Sequence, residues 1–138
     1  MVKRFEIIEH TADIGIAAYG NDLKKAFANA AYALFSLMVD LKDVGDTLCR
    51  EVKITAESQE DLLVAWLNEL LYIFEVENVL FRRFRIGELT ETRLRSRCYG
   101  ELIDPTRHKI KMGVKATTYH MLKIERKNGF RVQVLFDI

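Results

Sequence analysis

The sequence predicts a single α+β domain in which two helices pack on a mostly antiparallel β-sheet. Two segments in the first half repeat apolar residues at three- and four-residue steps, which is the period of an amphipathic helix. Short apolar or alternating runs, separated by turn-forming residues, fill most of the remaining chain and predict strands. The final third has no helical pattern, so hairpins rather than crossover helices should join its strands. A parallel doubly wound sheet is therefore disfavoured.

Length and composition indicate one domain covering residues 1–138. Of the 138 residues, 49% are hydrophobic and 30% charged, which is typical of a folded globular chain. The 21 basic and 20 acidic residues give a net charge of +1, so any basic surface must be a local patch. No apolar run approaches the ~20 residues that cross a bilayer. Because the N-terminus is also charged, we expect a cytoplasmic protein without membrane contact.

The first part of the chain predicts two short strands and a helix. Residues 5–9 and 14–19 are apolar-rich strands, interrupted by a four-residue polar motif. Asn21 is a favourable N-cap for a helix from residue 22 to about residue 40. The apolar stripe of this helix consists of Leu23, Phe27, Ala30, Leu34, Leu37, Met38 and Leu41. This spacing predicts that one face of the helix is buried.

The middle of the chain predicts a strand followed by a second helix. After a loop at residues 43–46, residues 50–57 alternate between apolar and polar side chains, as in a half-buried strand. Ser58, with Asp61 three residues later, approximates a capping box and marks the start of the helix, which ends near residues 75–78. Its inward residues are Leu62, Leu63, Trp66, Leu67, Leu70 and Phe74.

The last part of the chain predicts strands joined by turns. The predicted strands are residues 79–88, 93–99, 109–118, 121–126 and 130–136. Residues 89–92 connect the first two, and Asn128-Gly129 is a strong hairpin signal before the last. The last strand is apolar at every second residue, so Asp137, which follows it, should point away from the core.

Acidic groups at both ends of the chain are the first candidates for a functional site. Asp137 and the terminal carboxylate of Ile138 place two negative groups on adjacent residues. Such oxygen donors suit Ca²⁺ or Mg²⁺, although a solvated strand end is the simpler interpretation of this end alone. Asp13 either forms a local turn or supplies a third carboxylate, with His10 as its partner or a nearby base.

Cysteine and histidine side chains give weaker signals. Cys49 and Cys98 lack a C-x-x-C spacing, so we expect reduced thiols rather than zinc ligands. Thr118, Tyr119 and His120 lie at the predicted junction of two strands. Catalysis there would need a nucleophile beside a base, and the sequence shows neither a G-x-S-x-G elbow nor a Cys–His pairing. Packing and turn formation are the favoured interpretation.

Six arginines crowd the predicted hairpin in the second half of the chain. They are Arg82, Arg83, Arg85, Arg93, Arg95 and Arg97. The last three share a face because strand side chains alternate. The patch fits a phosphate-bearing or acidic partner, and fits equally well an exposed sheet face whose charges discourage edge-to-edge aggregation.

Three motifs, taken together, resemble those of the archease family. They are Glu9-His-Thr-Ala-Asp-Ile-Gly15, Lys115-Ala-Thr-Thr-Tyr-His120 and Phe136-Asp-Ile138. The resemblance covers the whole chain in motif order, length and helix placement. It implies a small α+β protein that binds a divalent cation, in this family Ca²⁺, through Asp13, Asp137 and Ile138.

The resemblance also implies a function. Archeases assist the RtcB-type tRNA-splicing ligase by promoting its guanylylation, supporting multiple turnover and broadening its nucleotide use, and are not ligases themselves. We therefore expect a non-catalytic activator whose partner is the ligase, with an indirect contact with tRNA, and with His10, Tyr119 and His120 near the cation or the partner. The residues alone leave two alternatives, namely an RNA-binding module that uses the arginine hairpin and a metal-dependent hydrolase built on His10, Asp13 and His120.

Overall fold

A computed structural model of the chain describes residues 3–10 and 13–138, without the side chain of His10. Over these residues, seven strands and two α-helices form the predicted α+β fold. The strands are β1 (Phe5–His10), β2 (Asp13–Gly20), β3 (Leu48–Thr55), β4 (Val79–Leu89), β5 (Arg93–Leu102), β6 (Ala116–Arg126) and β7 (Phe130–Asp137). The helices are α1 (Leu23–Met38), α2 (Gln59–Glu77) and a short 3-10 helix, Leu41–Asp43.

The strands form two separate antiparallel sheets. One has four strands in the order β1-β2-β7-β6, and the other has three in the order β3-β5-β4. Helix α1 packs against both β2 and β4 and so contacts both sheets, whereas α2 packs mainly against β6. Because β2 pairs with β7, the first and last parts of the chain lie side by side in the four-stranded sheet.

Helix α1 begins one residue later than predicted. Asp22, rather than Asn21, is the N-cap, because its side chain accepts a hydrogen bond from the N–H of Lys25 at 2.8 Å. The helix ends at Met38, and Leu41 lies in the 3-10 helix instead of continuing the helical stripe. The chain leaves the α-helical conformation at Val39, whose backbone is extended.

Helix α2 has the predicted start and end. The hydroxyl of Ser58 accepts a hydrogen bond from the N–H of Asp61 at 3.1 Å. Asn78, in the left-handed conformation, caps the C-terminal end. Trp66 is fully buried, and its indole N–H donates to the carbonyl oxygen of Phe27 at 3.1 Å, which ties α2 to α1 inside the core. Within the part of the chain that the structure describes, no helix is long and apolar enough to span a membrane.

The strand predicted at residues 109–118 was wrong over most of its length, whereas residues 121–126 are in a strand as predicted. Residues 109–115 are not in a strand, and the two predicted strands are one, β6. Between Thr118 and Lys123, β6 advances five residues while β7 advances two, so the extra residues form a bulge. Gln133 stabilises the bulge because its side-chain amide donates to the carbonyl oxygen of Met121 at 2.9 Å. The predicted turn at residues 128–129 is confirmed, with positive φ at both positions.

The two cysteines are separate free thiols. Cys49 is exposed and Cys98 is buried. They lie on adjacent strands but on opposite faces of the three-stranded sheet, since the residue opposite Cys98 is Arg50. Burial raises the pKa of the Cys98 thiol to about 12, so this residue behaves as an apolar core side chain.

Candidate functional site

The two acidic ends of the chain meet on neighbouring strands of the four-stranded sheet. In the antiparallel β2–β7 pair, Ile14 lies opposite Phe136. Asp13 precedes Ile14 and Asp137 follows Phe136, so the same register places both aspartates at the next position along the sheet. The strand pairing therefore brings together two carboxylates from opposite ends of the sequence.

Strand β6 holds the C-terminal end of β7 in place. Ala116 lies opposite Asp137 in the β6–β7 pair. The N–H of Lys115 also donates to the carbonyl oxygen of Asp137 at 2.8 Å. Because this hydrogen bond is made by the last residue of β7, it restrains the strand end and the terminal Ile138 that follows it.

His10, the histidine of the N-terminal motif, lies on β1, which flanks β2 on the side away from β7. His10 is the last residue of β1, and its backbone lies opposite Asp13. The side chain of His10, and the whole of Thr11 and Ala12, fall outside the described residues. The role suggested for His10 as a partner of the Asp13 carboxylate therefore stays a prediction.

The carboxylates at this end of the sheet are accessible oxygen donors. Asp13 is half-buried, and Asp137 is exposed and points away from the core because Phe136 is fully buried. In the described part of the chain, neither aspartate side chain has a hydrogen-bond or ion-pair partner. Ile138, the third residue predicted for the site, is 48% exposed. Negative groups placed together repel one another and favour a bound cation, and oxygen-only donors fit a hard divalent ion such as Ca²⁺.

Tyr119 and His120 lie on the bulge of β6 rather than at a junction of two strands. The Tyr119 hydroxyl donates to a carboxylate oxygen of Asp61, near the start of α2, at 2.7 Å. This hydrogen bond to the negative Asp61 raises the pKa of Tyr119 above its ordinary value. His120 is exposed, and its N–H donates to the Thr118 hydroxyl at 3.3 Å. Tyr119 thus fastens the bulge to α2, a contact that sequence reasoning missed because the pair is distant in sequence.

The arginines of the β4–β5 hairpin occupy the exposed face of the three-stranded sheet. We call this surface the arginine face, and it consists of Lys53, Arg83, Arg85, Arg93, Arg95 and Arg97. Arg85 lies opposite Arg97, and Lys53 lies opposite Arg95. The intervening residues of β5 are buried, so these side chains share the outer surface.

Arg82 belongs to the same hairpin but is engaged at the sheet edge. Strand β4 has a bulge between Phe81 and Arg83, and Arg82 is the extra residue without a partner on β5. Its guanidinium donates to the carbonyl oxygen of Val44 at 3.0 Å. The predicted six-arginine patch therefore loses Arg82, because the bulge directs it to the neighbouring loop.

Only half of the arginine face is neutralised by the protein. The ion pairs are Arg83–Asp46 at 3.4 Å, Arg93–Glu88 at 3.3 Å and Lys53–Glu51 at 3.4 Å. In the described residues, the other three guanidinium groups have neither an ion-pair nor a hydrogen-bond partner. They belong to Arg85, Arg95 and Arg97.

A buried polar cluster around Glu101 was also missed by sequence reasoning. One carboxylate oxygen of Glu101 accepts from the N–H of Gly45 at 2.6 Å and contacts Nε2 of His108 at 3.0 Å. The other oxygen accepts from Arg107 at 2.7 Å. Chiefly because of the Arg107 hydrogen bond, the pKa of Glu101 is lowered to about 2. The cluster joins two loops that are distant in sequence, so no local pattern could reveal it.

Comparisons with known proteins find similar sequences over nearly the whole chain. A sequence model of the Archease protein family matches residues 5–138. The chain is 42% identical to the protein archease of Methanosarcina acetivorans, over 99% of this chain and 97% of that protein. It is 45% identical to the protein archease of Pyrococcus abyssi, over 91% of this chain and 90% of that protein.

Two solved structures have similar folds. The solution structure of protein 1598 from Methanobacterium thermoautotrophicum is 39% identical, with a TM-score of 0.85, and the alignment covers 99% of this chain and 100% of that one. The crystal structure of a Thermotoga maritima protein, described as an archease and possible chaperone, is 25% identical with a TM-score of 0.66. That alignment covers 95% of this chain and 94% of the other.

Proposed function

The chain belongs to the archease family, as its three motifs indicated, and from this membership we propose that it activates an RtcB-type tRNA-splicing ligase. In this role it promotes guanylylation of the ligase, supports multiple turnover and broadens nucleotide use, without catalysing ligation itself. The observation that carries the proposal is the pairing of β2 with β7, which places Asp13 and Asp137 next to each other at an accessible end of the sheet.

The proposed site for a divalent cation, Ca²⁺ in the first instance, consists of Asp13, Asp137 and the terminal carboxylate of Ile138. Among the described side chains, no three His, Cys, Asp or Glu residues are grouped so as to hold a metal ion. The proposal therefore assigns the third ligand at this end of the sheet to the terminal carboxylate of Ile138, beside the two aspartates. Bound there, it supplies positive charge that offsets the repulsion among the carboxylates.

The residues of this chain contribute to activation by shaping a contact surface rather than by reacting. The hydrogen bond from Lys115 to Asp137 fixes the strand end, and the bond from Tyr119 to Asp61 fixes the neighbouring bulge. Ile138, which is 48% exposed, adds a large apolar side chain beside the acidic groups, and Tyr119 and Met121, 57% and 44% exposed, add two more on the bulge further along β6. Apolar side chains next to a charged centre suit a protein partner, here the ligase beside its metal and nucleotide site.

Substitution of the aspartates tests this proposal in a guanylylation assay with an RtcB-type ligase. Asp13→Asn and Asp137→Asn should each reduce stimulation of the ligase by about tenfold or more, since even residues that only orient a metal ligand contribute that much to affinity. Asp43→Asn is the matched control, because Asp43 is an exposed aspartate on the 3-10 helix. Thermal unfolding should change little in all three variants. Full stimulation by both site variants would refute the proposal.

Calorimetry with Ca²⁺ alone separates the cation site from the ligase contact. The same two variants should lose the binding heat that the wild-type chain and Asp43→Asn show. An extension beyond Ile138 removes the free carboxylate at that position and should weaken binding in the same way. Unchanged Ca²⁺ binding in the extended chain would show that Ile138 does not provide a ligand.

Among the described residues, no observation favours the metal-dependent hydrolase. It requires His10, Asp13 and His120 to act together, and because the side chain of His10 falls outside the described residues, this alternative stays a prediction. The possible chaperone role given for the Thermotoga maritima relative is, like activation, exerted on another protein. It supports a helper function for this chain in preference to turnover of a small substrate.

A further inference from the structure

We propose that the arginine face binds the phosphate backbone of RNA and thereby holds the RNA substrate near the activated ligase. The choice of RNA as the polyanion rests on the proposed function. The binding surface itself rests on three unpaired guanidinium groups, those of Arg85, Arg95 and Arg97, on a separate sheet from the acidic ends.

The arginine face has a higher net positive charge than the chain as a whole. The face carries six basic residues, and the three acidic residues that pair with them are Asp46, Glu51 and Glu88. Six positive and three negative charges leave a local charge of +3, whereas the whole chain has +1. The remainder of the molecule is therefore slightly negative, and a polyanion is attracted to this surface in particular.

Two like-charge pairs lie within the arginine face. Arg85 lies opposite Arg97, and Lys53 lies opposite Arg95, while the other neighbouring strand places Glu51 opposite Arg97 and Glu88 opposite Arg95. Like-charge pairs destabilise a sheet. A phosphate group between two guanidinium groups removes the repulsion and accepts bidentate hydrogen bonds from both.

A shallow recess lies among these side chains. Its volume is about 390 Å³, and its wall includes Arg85, Arg95, Arg97 and Gly87, with Glu51 as the one acidic residue among the lining side chains. A Cβ atom added to Gly87 would meet no heavy atom closer than the carbonyl oxygen of Arg95, at 4.0 Å, so there is free space on this side of the recess. The recess is therefore accessible to the oxygen atoms of a phosphate chain.

The surface lacks the features of a protein interface or of a base-reading site. Among the described residues, the exposed large hydrophobic side chains all lie elsewhere: Ile7, Tyr72, Val76, Leu102, Ile110, Tyr119, Met121 and Ile138. Protein interfaces usually have an apolar centre. Tyr99, the aromatic residue at this recess, is covered by Arg83, whose guanidinium carbon is 3.9 Å from the ring centroid. Base stacking is thus disfavoured, and we expect backbone contacts that do not depend on sequence.

Fluorescence anisotropy with a labelled single-stranded RNA of about 20 nucleotides, in the absence of ligase and Ca²⁺, tests the proposal. Three phosphate contacts predict a slope of about −2 for log K against log salt, or a roughly 20-fold loss of affinity between about 50 and 200 mM salt. The variant Arg85→Gln/Arg97→Gln should bind at least about tenfold more weakly, with a shallower salt slope. Circular dichroism confirms that it is folded.

The matched control is Lys109→Gln/Lys111→Gln, which removes the same charge from exposed residues outside the sheets. It should bind RNA within about twofold of the wild-type chain. An equal loss in both double variants would show that net charge alone drives binding and would overturn the proposal, as would unchanged binding by the arginine variant. A polyglutamate peptide that displaces RNA at equal charge concentration would assign the face to acidic proteins instead. Because the anisotropy assay contains no ligase, a negative result in it does not affect the proposal that the chain activates the ligase. A negative result in the guanylylation assay likewise does not affect the proposal that the arginine face binds RNA.

Discussion

Replacement of Glu101 by glutamine should destabilise the protein more than any exposed charge substitution. Glu101 is 8% exposed and accepts hydrogen bonds from Gly45 and Arg107, with His108 also in contact. Nδ1 of His108 accepts the N–H of Asp104 at 2.8 Å, so Nε2 carries the proton and donates towards Glu101. A glutamine side chain has one acceptor oxygen where the carboxylate has two, and its NH₂ group faces a donor.

The cost of Glu101→Gln follows from which donors lose their acceptor. Arg107 is about half exposed, at 51%, and can bind water instead. His108 is completely buried but retains the carbonyl oxygen of Asp43 at 2.9 Å. When the amide oxygen keeps Arg107, the half-buried N–H of Gly45 loses its acceptor, and this loss together with that of the charge-assisted bonds costs about 2–3 kcal/mol. For a chain of this length, that loss lowers Tm by roughly 10 °C.

The pH dependence of the destabilisation caused by Glu101→Gln identifies its electrostatic part. The folded pKa of Glu101, about 2, lies below its ordinary value of 4.5, so the carboxylate stabilises the fold above pH 4.5. That stabilisation is lost as the pH falls from 4.5 to 2. The difference in unfolding free energy between wild type and Glu101→Gln should therefore shrink over this range.

Urea unfolding followed by circular dichroism at pH 7 and at several lower values measures this difference. Glu88→Gln is the control, because Glu88 and Arg93 form an exposed ion pair and its loss should cost less than about 1 kcal/mol. The reasoning about the cluster fails if Glu101→Gln is no more destabilising than the control at pH 7. It also fails if the difference between wild type and Glu101→Gln stays constant down to about pH 2.5.

Two further substitutions probe the elements that position the acidic ends. Gly15→Ala should destabilise the protein by about 1–3 kcal/mol in urea unfolding. The new Cβ would lie 2.4 Å from Cδ2 of Leu135 and 2.9 Å from the carbonyl oxygen of Val134. A neutral effect would show that β2 and β7 can separate without cost. Tyr119→Phe should cost about 0.5–1.5 kcal/mol by removing the hydrogen bond to Asp61, and thermal unfolding at neutral pH would contradict this if Tm rose.

Local sequence signals predicted the helices and the turn before β7 well. The Ser58 cap, the apolar stripe of α2 and the Asn128-Gly129 turn all act within a few residues, so a short window contains the interactions that decide them. The N-cap of α1 was misplaced by one residue because Asn21 and Asp22 are both good caps and only the backbone geometry distinguishes them.

The bulges could not be predicted from alternation. The three extra residues in β6 keep strand-like composition on both sides, so the sequence suggested two strands where the structure has one. The same holds for Arg82, which is an ordinary strand residue by composition and an unpaired one by register. In both places the partner strand decides the register, and a pattern read along one strand carries no information about its partner.

The sequence by itself determined the fold class, the family motifs and the candidate residues Asp13, Asp137 and Ile138. Taken singly, each acidic end also agreed with a solvated strand end or a turn. Only the tertiary structure placed the two aspartates at one position of the sheet, through the pairing of β2 with β7. That pairing depends on burial and backbone hydrogen bonds between opposite ends of the chain, energies that no local stretch of sequence contains.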